Sequence, residues 1–206
     1  MELSKNRIGK ITASRCSEFM TKGKGELFGE TAKTYAKELL MARMGIDIET
    51  PMTRQMEWGL EHEPDARAIY EQSRNVKVEL PGFIQFGKNA GCTPDGVIGR
   101  LYNDNGLNRH HGLLEIKCPQ EKAHLNYLLS DHPPKQYWQQ MQFQMMVTQA
   151  HWCDWMTFNP LFPDHLKAKV IRVERDQDFI DEIISRIDPF EEMINEMQSK
   201  LNEPAS

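Results

Sequence analysis

No stretch of this 206-residue chain is apolar for long enough to span a bilayer, which takes about 20 residues. The opening MELSKNRIGK has no apolar core of a secretory signal. Cysteine is scarce: Cys16, Cys92, Cys118 and Cys153 are spread along the chain without a CxxC pair. Such spacing argues against a disulfide framework, a zinc knuckle or an iron–sulfur cluster, and for a reducing, cytoplasmic setting. The seven histidines make no HExxH, and no GxxxxGK(S/T) loop is present, which excludes a zincin-type protease and an ATP-driven motor. Positive charge is in deficit: 25 Lys and Arg against 30 Asp and Glu give −5. That balance tells mildly against a protein that merely coats nucleic acid, but leaves room for an enzyme with a local basic channel. What remains is ordinary for a globular protein, 39% hydrophobic and 27% charged. The length suits one domain, 1–206, with 201–206 (LNEPAS) as a frayed tail.

The stretch that organises the rest is Gly91–Pro119, GCTPDGVIGRLYNDNGLNRHHGLLEIKCP. Two short apolar runs, Cys92–Ile98 and Gly112–Cys118, flank a span rich in Asn, Asp and Gly, so it reads as two neighbouring strands around a long loop. His110 and His111, in that loop, are expected to face solvent. Glu115 and Lys117 are two apart and share one sheet face, whereas Leu114, Ile116 and Cys118 take the other. Asp95 follows Pro94, where strand pairing weakens and a side chain can reach a site. Two acids and a lysine at one sheet end fit a nuclease-type metal site. Glu115-Ile116-Lys117 is the only (Asp/Glu)-x-Lys triplet in the chain, yet roughly two arise by chance at this composition. A surface ion pair is the plain alternative. The apolar surroundings of GLLEIKCP favour the site, because a buried carboxylate is costly unless it is paired or coordinates something.

Along the chain, Ser14 is placed to cap a short helix through Phe19. Arg7, Lys10, Arg15, Lys22 and Lys24 form either a solvated face or a phosphate-binding entrance. Glu30–Met44 reads as a helix with Gly45 as its stop, and Thr53 to about Gln72 as another. On the latter, Met56, Gly59, Leu60, Ala66 and Tyr70 fall on the same side as Glu63, so Glu63 points towards the core. Its partner is Arg67, one turn on, or a metal ion. Pro64 should bend the helix there. Val76–Leu80 and Phe83–Phe86 read as strands. Glu121–Leu129 and Lys135–Thr148 read as helices, with Gln140 on the second either reaching the site or exposed. Trp152–Phe158 and Lys169–Val173 are expected to close the sheet. Gln177–Leu201 is expected as a last amphipathic helix, interrupted near Asp188-Pro189.

ITAS (11–14), EWGLEHEPDARAIYE (57–71), TPDG (93–96), LEIKCP (114–119) and QYWQQMQFQMMVT (136–148) resemble the phage lambda exonuclease family in the same order and at similar spacing. That family belongs to the PD-(D/E)XK nucleases. The resemblance covers roughly Arg7 to Val173 and implies a restriction-endonuclease-like α/β fold, a central mixed β-sheet flanked by helices. It implies that Asp95, Glu115, the Ile116 carbonyl and Glu63 bind Mg²⁺, with Mn²⁺ as a substitute and two ions per site. Lys117 would position and activate the attacking water, and Gln140 would stand beside the site. Arg7, Ser14 and Thr93 would receive a 5′ phosphate, and Met56 would be an apolar wedge at the DNA end. Hard oxygen ligands suit such cations. Beside two of them Lys117 should have a lowered pKa.

The activity implied is 5′-to-3′ digestion of linear duplex DNA from 5′-phosphorylated ends to mononucleotides. The 3′ single strands left behind would serve annealing recombination. A ring-shaped homotrimer, a single-strand annealing protein as partner, no membrane, and the cytoplasm of a bacterium carrying a phage or prophage are also implied. The rivals are an endonuclease or structure-selective resolvase with the same metal core, and a non-catalytic DNA-end-binding or annealing module. Pro64, and the short Lys22–Glu30 loop, depart from the family pattern.

Overall fold

A computed structural model of the chain describes residues 5–46, 51–103, 106–107 and 111–202. In chain order these form β1 (Ile11–Thr12), α1 (Cys16–Phe19), α2 (Glu30–Arg43), α3 (Arg54–Arg74), β2 (Val78–Glu79), β3 (Ile84–Phe86) and β4 (Ala90–Cys92). Then come β5 (Gly96–Ile98), β6 (Tyr102–Asn103), β7 (Gly106–Leu107), β8 (Gly112–Lys117), α4 (Glu121–Leu128), α5 (Lys135–Thr148), β9 (Trp152–Phe158), β10 (Ala168–Glu174) and α6 (Gln177–Asn202). The expected α/β architecture holds. A five-stranded mixed sheet runs β10-β9-β8-β5-β2, and β1-β4-β3 form a smaller one. β8 and β9 are parallel, and the other neighbours in the large sheet are antiparallel.

The large sheet is covered on both faces, and the alternation of β8 assigns them. Leu113 joins Val97, Cys153 and Trp155 beneath Met141, Phe143 and Met145 of α5, in a core that also takes α2 and α6. Leu114 and Ile116 point the other way, with Met156 and Phe158, against Ala66 and Tyr70 of α3. A strand buried on both faces reads as an unbroken apolar run, and GLLEIK departs from one only at Glu115 and Lys117.

Cys92–Ile98, expected as one strand, is split between the two sheets. Cys92 ends β4 in the small sheet and Gly96 begins β5 in the large one. Between them, Pro94 offers no N–H to a ladder, so pairing stops there. β1 lies parallel to β4, with Thr12 opposite Gly91, and α5 packs on β3, β4 and β9.

Other expectations need correcting. Ser14 caps no helix: residues 13–15 form a 3₁₀ turn with Thr12 at its start, and α1 follows. α3 is helical on both sides of Pro64, as expected of one helix there, and Thr53 Oγ1 accepts the Met56 N–H at 3.2 Å at its start. α6 likewise passes through Pro189 without interruption and takes in Leu201 and Asn202 of the expected tail; 203–206 lie outside the described residues. Its apolar side is long enough to hold it across the proline: Ile180, Ile183, Phe190 and Ile194 are all buried. The strand expected over 76–80 shrinks to Val78–Glu79. The polar loop carries the small β6–β7 pair. His111 is buried rather than solvent-facing, while His110 lies outside the described residues.

Two polar ties fix helices to this frame. Arg43 of α2 donates to both carboxylate oxygens of Glu191 on α6 at 2.8 and 2.7 Å, the paired geometry that makes such bonds strong. On the α3 face, buried Asp154 accepts from Tyr70 Oη at 2.7 Å and from Arg172 at 2.8 and 3.0 Å, with Arg172 lying over the Trp152 ring. Tyr70→Phe removes a hydrogen bond to a buried charge, so the folding free energy should drop by about 1.5–3 kcal/mol, read as a lower urea midpoint at unchanged slope.

Candidate active site

β8 ends with Glu115 and Lys117 on the α5 side of the sheet. Gly96 pairs with Leu114, so one step further along the same antiparallel register Asp95 comes opposite Glu115. Asp95 Oδ2 accepts the Ile116 N–H at 2.7 Å, which pins its carboxylate across the end of the hairpin.

Glu115 is 0% exposed. A buried unpaired carboxylate costs several kcal/mol even after relaxation, and here three donors offset that cost. Gln140 Nε2 donates to Oε1 at 2.6 Å and Gln144 Nε2 to Oε2 at 2.6 Å. Lys117 Nζ stands 2.6 Å from Oε1. Gln140 is therefore brought to the site. Gln144 was not anticipated; its signal is the i, i+4 spacing from Gln140, which puts the two amides on one side of the helix.

Lys117 is 25% exposed along its side chain and lies 4.8 Å from the centre of the Tyr137 ring. Burial pulls its pKa down, but Glu115 and Asp95 outweigh burial and hold it above the ordinary 10.5. The Asp95 carboxyl is pushed well above 3.8, first by burial and next by Glu115, with Glu63 adding and Lys117 opposing. Burial, then Glu63 and Asp95, push the neighbouring Cys118 thiol up to about 12, which disqualifies it as a thiolate nucleophile at neutral pH.

Glu63 approaches from the opposite face, on α3, and is paired with Arg67. The bland partner has thus taken it, although its charge still acts on Asp95 and Cys118. The apolar side expected around it is only half realised: Ala66 and Tyr70 are buried, but Leu60 is exposed and Met56 is 44% exposed. The helix before Glu63 stands off the core. Among the described residues no group of three or more His, Cys, Asp and Glu side chains is placed to hold a metal. Asp95 and Glu115 nevertheless converge with one lysine between them. Two carboxylates against one cation leave an excess of negative charge, expressed in the upward push on Asp95, and their hard oxygens suit a divalent cation.

Arg7 Nη2 donates to Ser14 Oγ at 3.2 Å, and Ser14 Oγ lies 3.3 Å from Thr12 Oγ1. β1 ends at Thr12, beside Gly91; Ser14 lies in the 3₁₀ turn that follows, and the exposed Thr93 follows β4, two residues before Asp95. Three other basic groups of that face are engaged. Arg15 is bonded to Glu18 and Glu38 and lies over Tyr35. Lys10 donates to the Lys88 carbonyl, and Lys22 pairs with Glu182.

Residues 3–151 match the YqaJ-like viral recombinase domain family. The chain is similar to an alkaline exonuclease (LHK-Exo) from Laribacter hongkongensis, 30% identical with a TM-score of 0.78 over 95% of both chains. Against LHK-Exo in complex with dAMP the identity is 31% and the TM-score 0.82, over 95% of this chain and 92% of that one. A phage-related exonuclease from Haemophilus somnus 129PT, 14% identical, shares the fold with a TM-score of 0.74 over 93% and 96% of the two chains. No curated relative matches. The fold and family expected from the motifs are borne out.

Because its folded pKa is raised, Asp95 binds more protons in the native than in the unfolded state as pH climbs from the ordinary 3.8. Stability present below that pH is therefore lost as pH rises through the folded value. Asp95→Asn keeps an acceptor for the Ile116 N–H and removes the charge. In EDTA it should raise Tm above that of the parent chain at pH 8, with the gap closing below pH 3.8; scanning calorimetry against pH checks this.

Proposed function

Since the chain belongs to the YqaJ-like viral recombinase family, we propose that it is a metal-dependent 5′-to-3′ exonuclease acting on 5′-phosphorylated ends of linear duplex DNA. The observation that carries this reading is the meeting of Asp95, Glu115 and Lys117 at one end of the β5–β8 hairpin, with the Arg7–Ser14 pair one strand away. A general endonuclease needs the first group but has no use for the second.

Asp95, Glu115 and the Ile116 carbonyl would hold Mg²⁺ or Mn²⁺, and Glu63, once released from Arg67, would serve a second ion. When bound, such cations supply Lewis-acid stabilisation of the phosphodiester oxygens during in-line displacement. The chain's own residues do the rest. Lys117, paired with Glu115 Oε1, orients the attacking water. Arg7 presents a guanidinium, and Ser14 and Thr93 present hydroxyls, to the phosphate at the 5′ end. Met56, exposed on the outstanding part of α3, is the wedge that parts the last base pair. The product is a nucleoside 5′-monophosphate, the class of molecule found with LHK-Exo in its dAMP complex. A 3′ single strand remains for an annealing partner. A homotrimeric ring around the duplex reconciles a net charge of −5 with DNA binding by gathering basic groups inside.

Digestion of 5′-end-labelled linear duplex beside covalently closed circles, with Mg²⁺ and with EDTA, tests the reading. Labelled mononucleotide should appear from the linear form only, and only with metal. Lys117→Ala should slow it by about 10²–10⁴-fold. Nicking of circles would replace the exonuclease by an endonuclease. Arg7→Ala should abolish the preference for phosphorylated over hydroxyl 5′ ends while leaving Mg²⁺ dependence as it is; relative rates on the two substrates measure this.

A further inference from the structure

We infer that Gln144 is a positioning residue of this site. It anchors Glu115 Oε2 so that the other carboxylate oxygen, Oε1, is the one offered to a divalent cation. The inference rests on the metal-dependent reading above.

The two oxygens of Glu115 are held differently. Oε1 is shared by Gln140 Nε2 and Lys117 Nζ, both at 2.6 Å. Lys117 is partly exposed and sits on a flexible four-carbon stem, so this oxygen faces the open end of the sheet and its lysine can move aside. Oε2 faces inward and takes Gln144 Nε2 at 2.6 Å. Gln144 is 0% exposed and belongs to the middle of α5, so it has nowhere to move. A carboxylate only accepts, so the amide is forced to turn its NH₂ towards Glu115.

That orientation leaves the Gln144 Oε1 atom buried without a hydrogen-bond partner, at a cost of about 1–3 kcal/mol. A position flanked by Phe143, Met145, Met146 and Val147, all buried, would be filled at no such cost by methionine or leucine. A glutamine that loses stability at a core position is explained by what it does for the carboxylate. Without it, Glu115 would be held at Oε1 alone, and the direction in which that oxygen is presented would rest on Gln140 and the mobile Lys117. Partners of ligating carboxylates typically change metal affinity by about 10–100-fold when removed.

The test is Mn²⁺ binding to the full chain in the absence of DNA, followed by the loss of the free-Mn²⁺ electron paramagnetic resonance signal. Gln144→Met keeps the volume and removes the donor; its Kd for Mn²⁺ should rise about tenfold or more. Gln144→Asn keeps the amide but withdraws it by one methylene, and should weaken binding to a lesser degree. If the methionine variant does not fold, the asparagine variant decides alone. An unchanged Kd in a folded variant overturns the role of Gln144 and leaves the metal reading intact, as a purely packing glutamine would. Failure of the parent chain to bind Mn²⁺ at all overturns the metal reading itself, and this inference with it.

Discussion

The burial of one carboxylate governs this structure. Glu115 sits in the central strand of the large sheet, under α5, where an apolar side chain would be the stable choice. Keeping it there demands donors, and the donors dictate much of what surrounds it. α5 must place Gln140 and Gln144 one turn apart and facing the sheet, Lys117 must follow two residues later on the same face, and β5 must enter at the register that brings Asp95 across from it. Each requirement is ordinary alone. Together they account for two of the buried amides of α5, Gln140 and Gln144, packed on a strand buried on both sides.

The second organising feature is the passage of the chain from one sheet to the other at Thr93-Pro94-Asp95. Strands that stay in one sheet present alternate residues to its two faces and nothing to its end. By stopping the ladder, Pro94 lets consecutive residues serve different neighbours: Cys92 is committed to the small sheet, Thr93 is exposed, and Asp95 reaches the β8 backbone. The small sheet and the carboxylate end of the large one are thereby joined through three residues, with α5 bracing both.

Much of this was legible beforehand. The 3.6 and 2 periodicities located the helices and the main strands, α5 and β9 to the residue, and the clustering of charged residues in GLLEIKCP singled out the site. What escaped detection depended on tertiary context. The break between β4 and β5 is invisible to periodicity, because apolar residues continue across it and only the choice of partner strand changes. Pro189 was read as an interruption because a proline costs about 3 kcal/mol inside a helix; in α6 the packing of Ile183, Phe190 and Ile194 outweighs it. Glu63 was placed on a buried face by geometry that treats a helix as uniformly packed, whereas only the part after it meets the sheet. Gln144 looked like one of several glutamines, since nothing local distinguishes an amide facing a carboxylate from one facing water.

The outstanding half of α3 carries a further consequence. Met56 and Leu60 are exposed, while the same helix is rooted downstream by Ala66 and Tyr70. One rod therefore meets two environments: a substitution at its root is felt by the packed core, while one at Met56 or Leu60 should stay within about 0.5 kcal/mol of neutral. The tip can change its outward face without reopening the problem of how to fold.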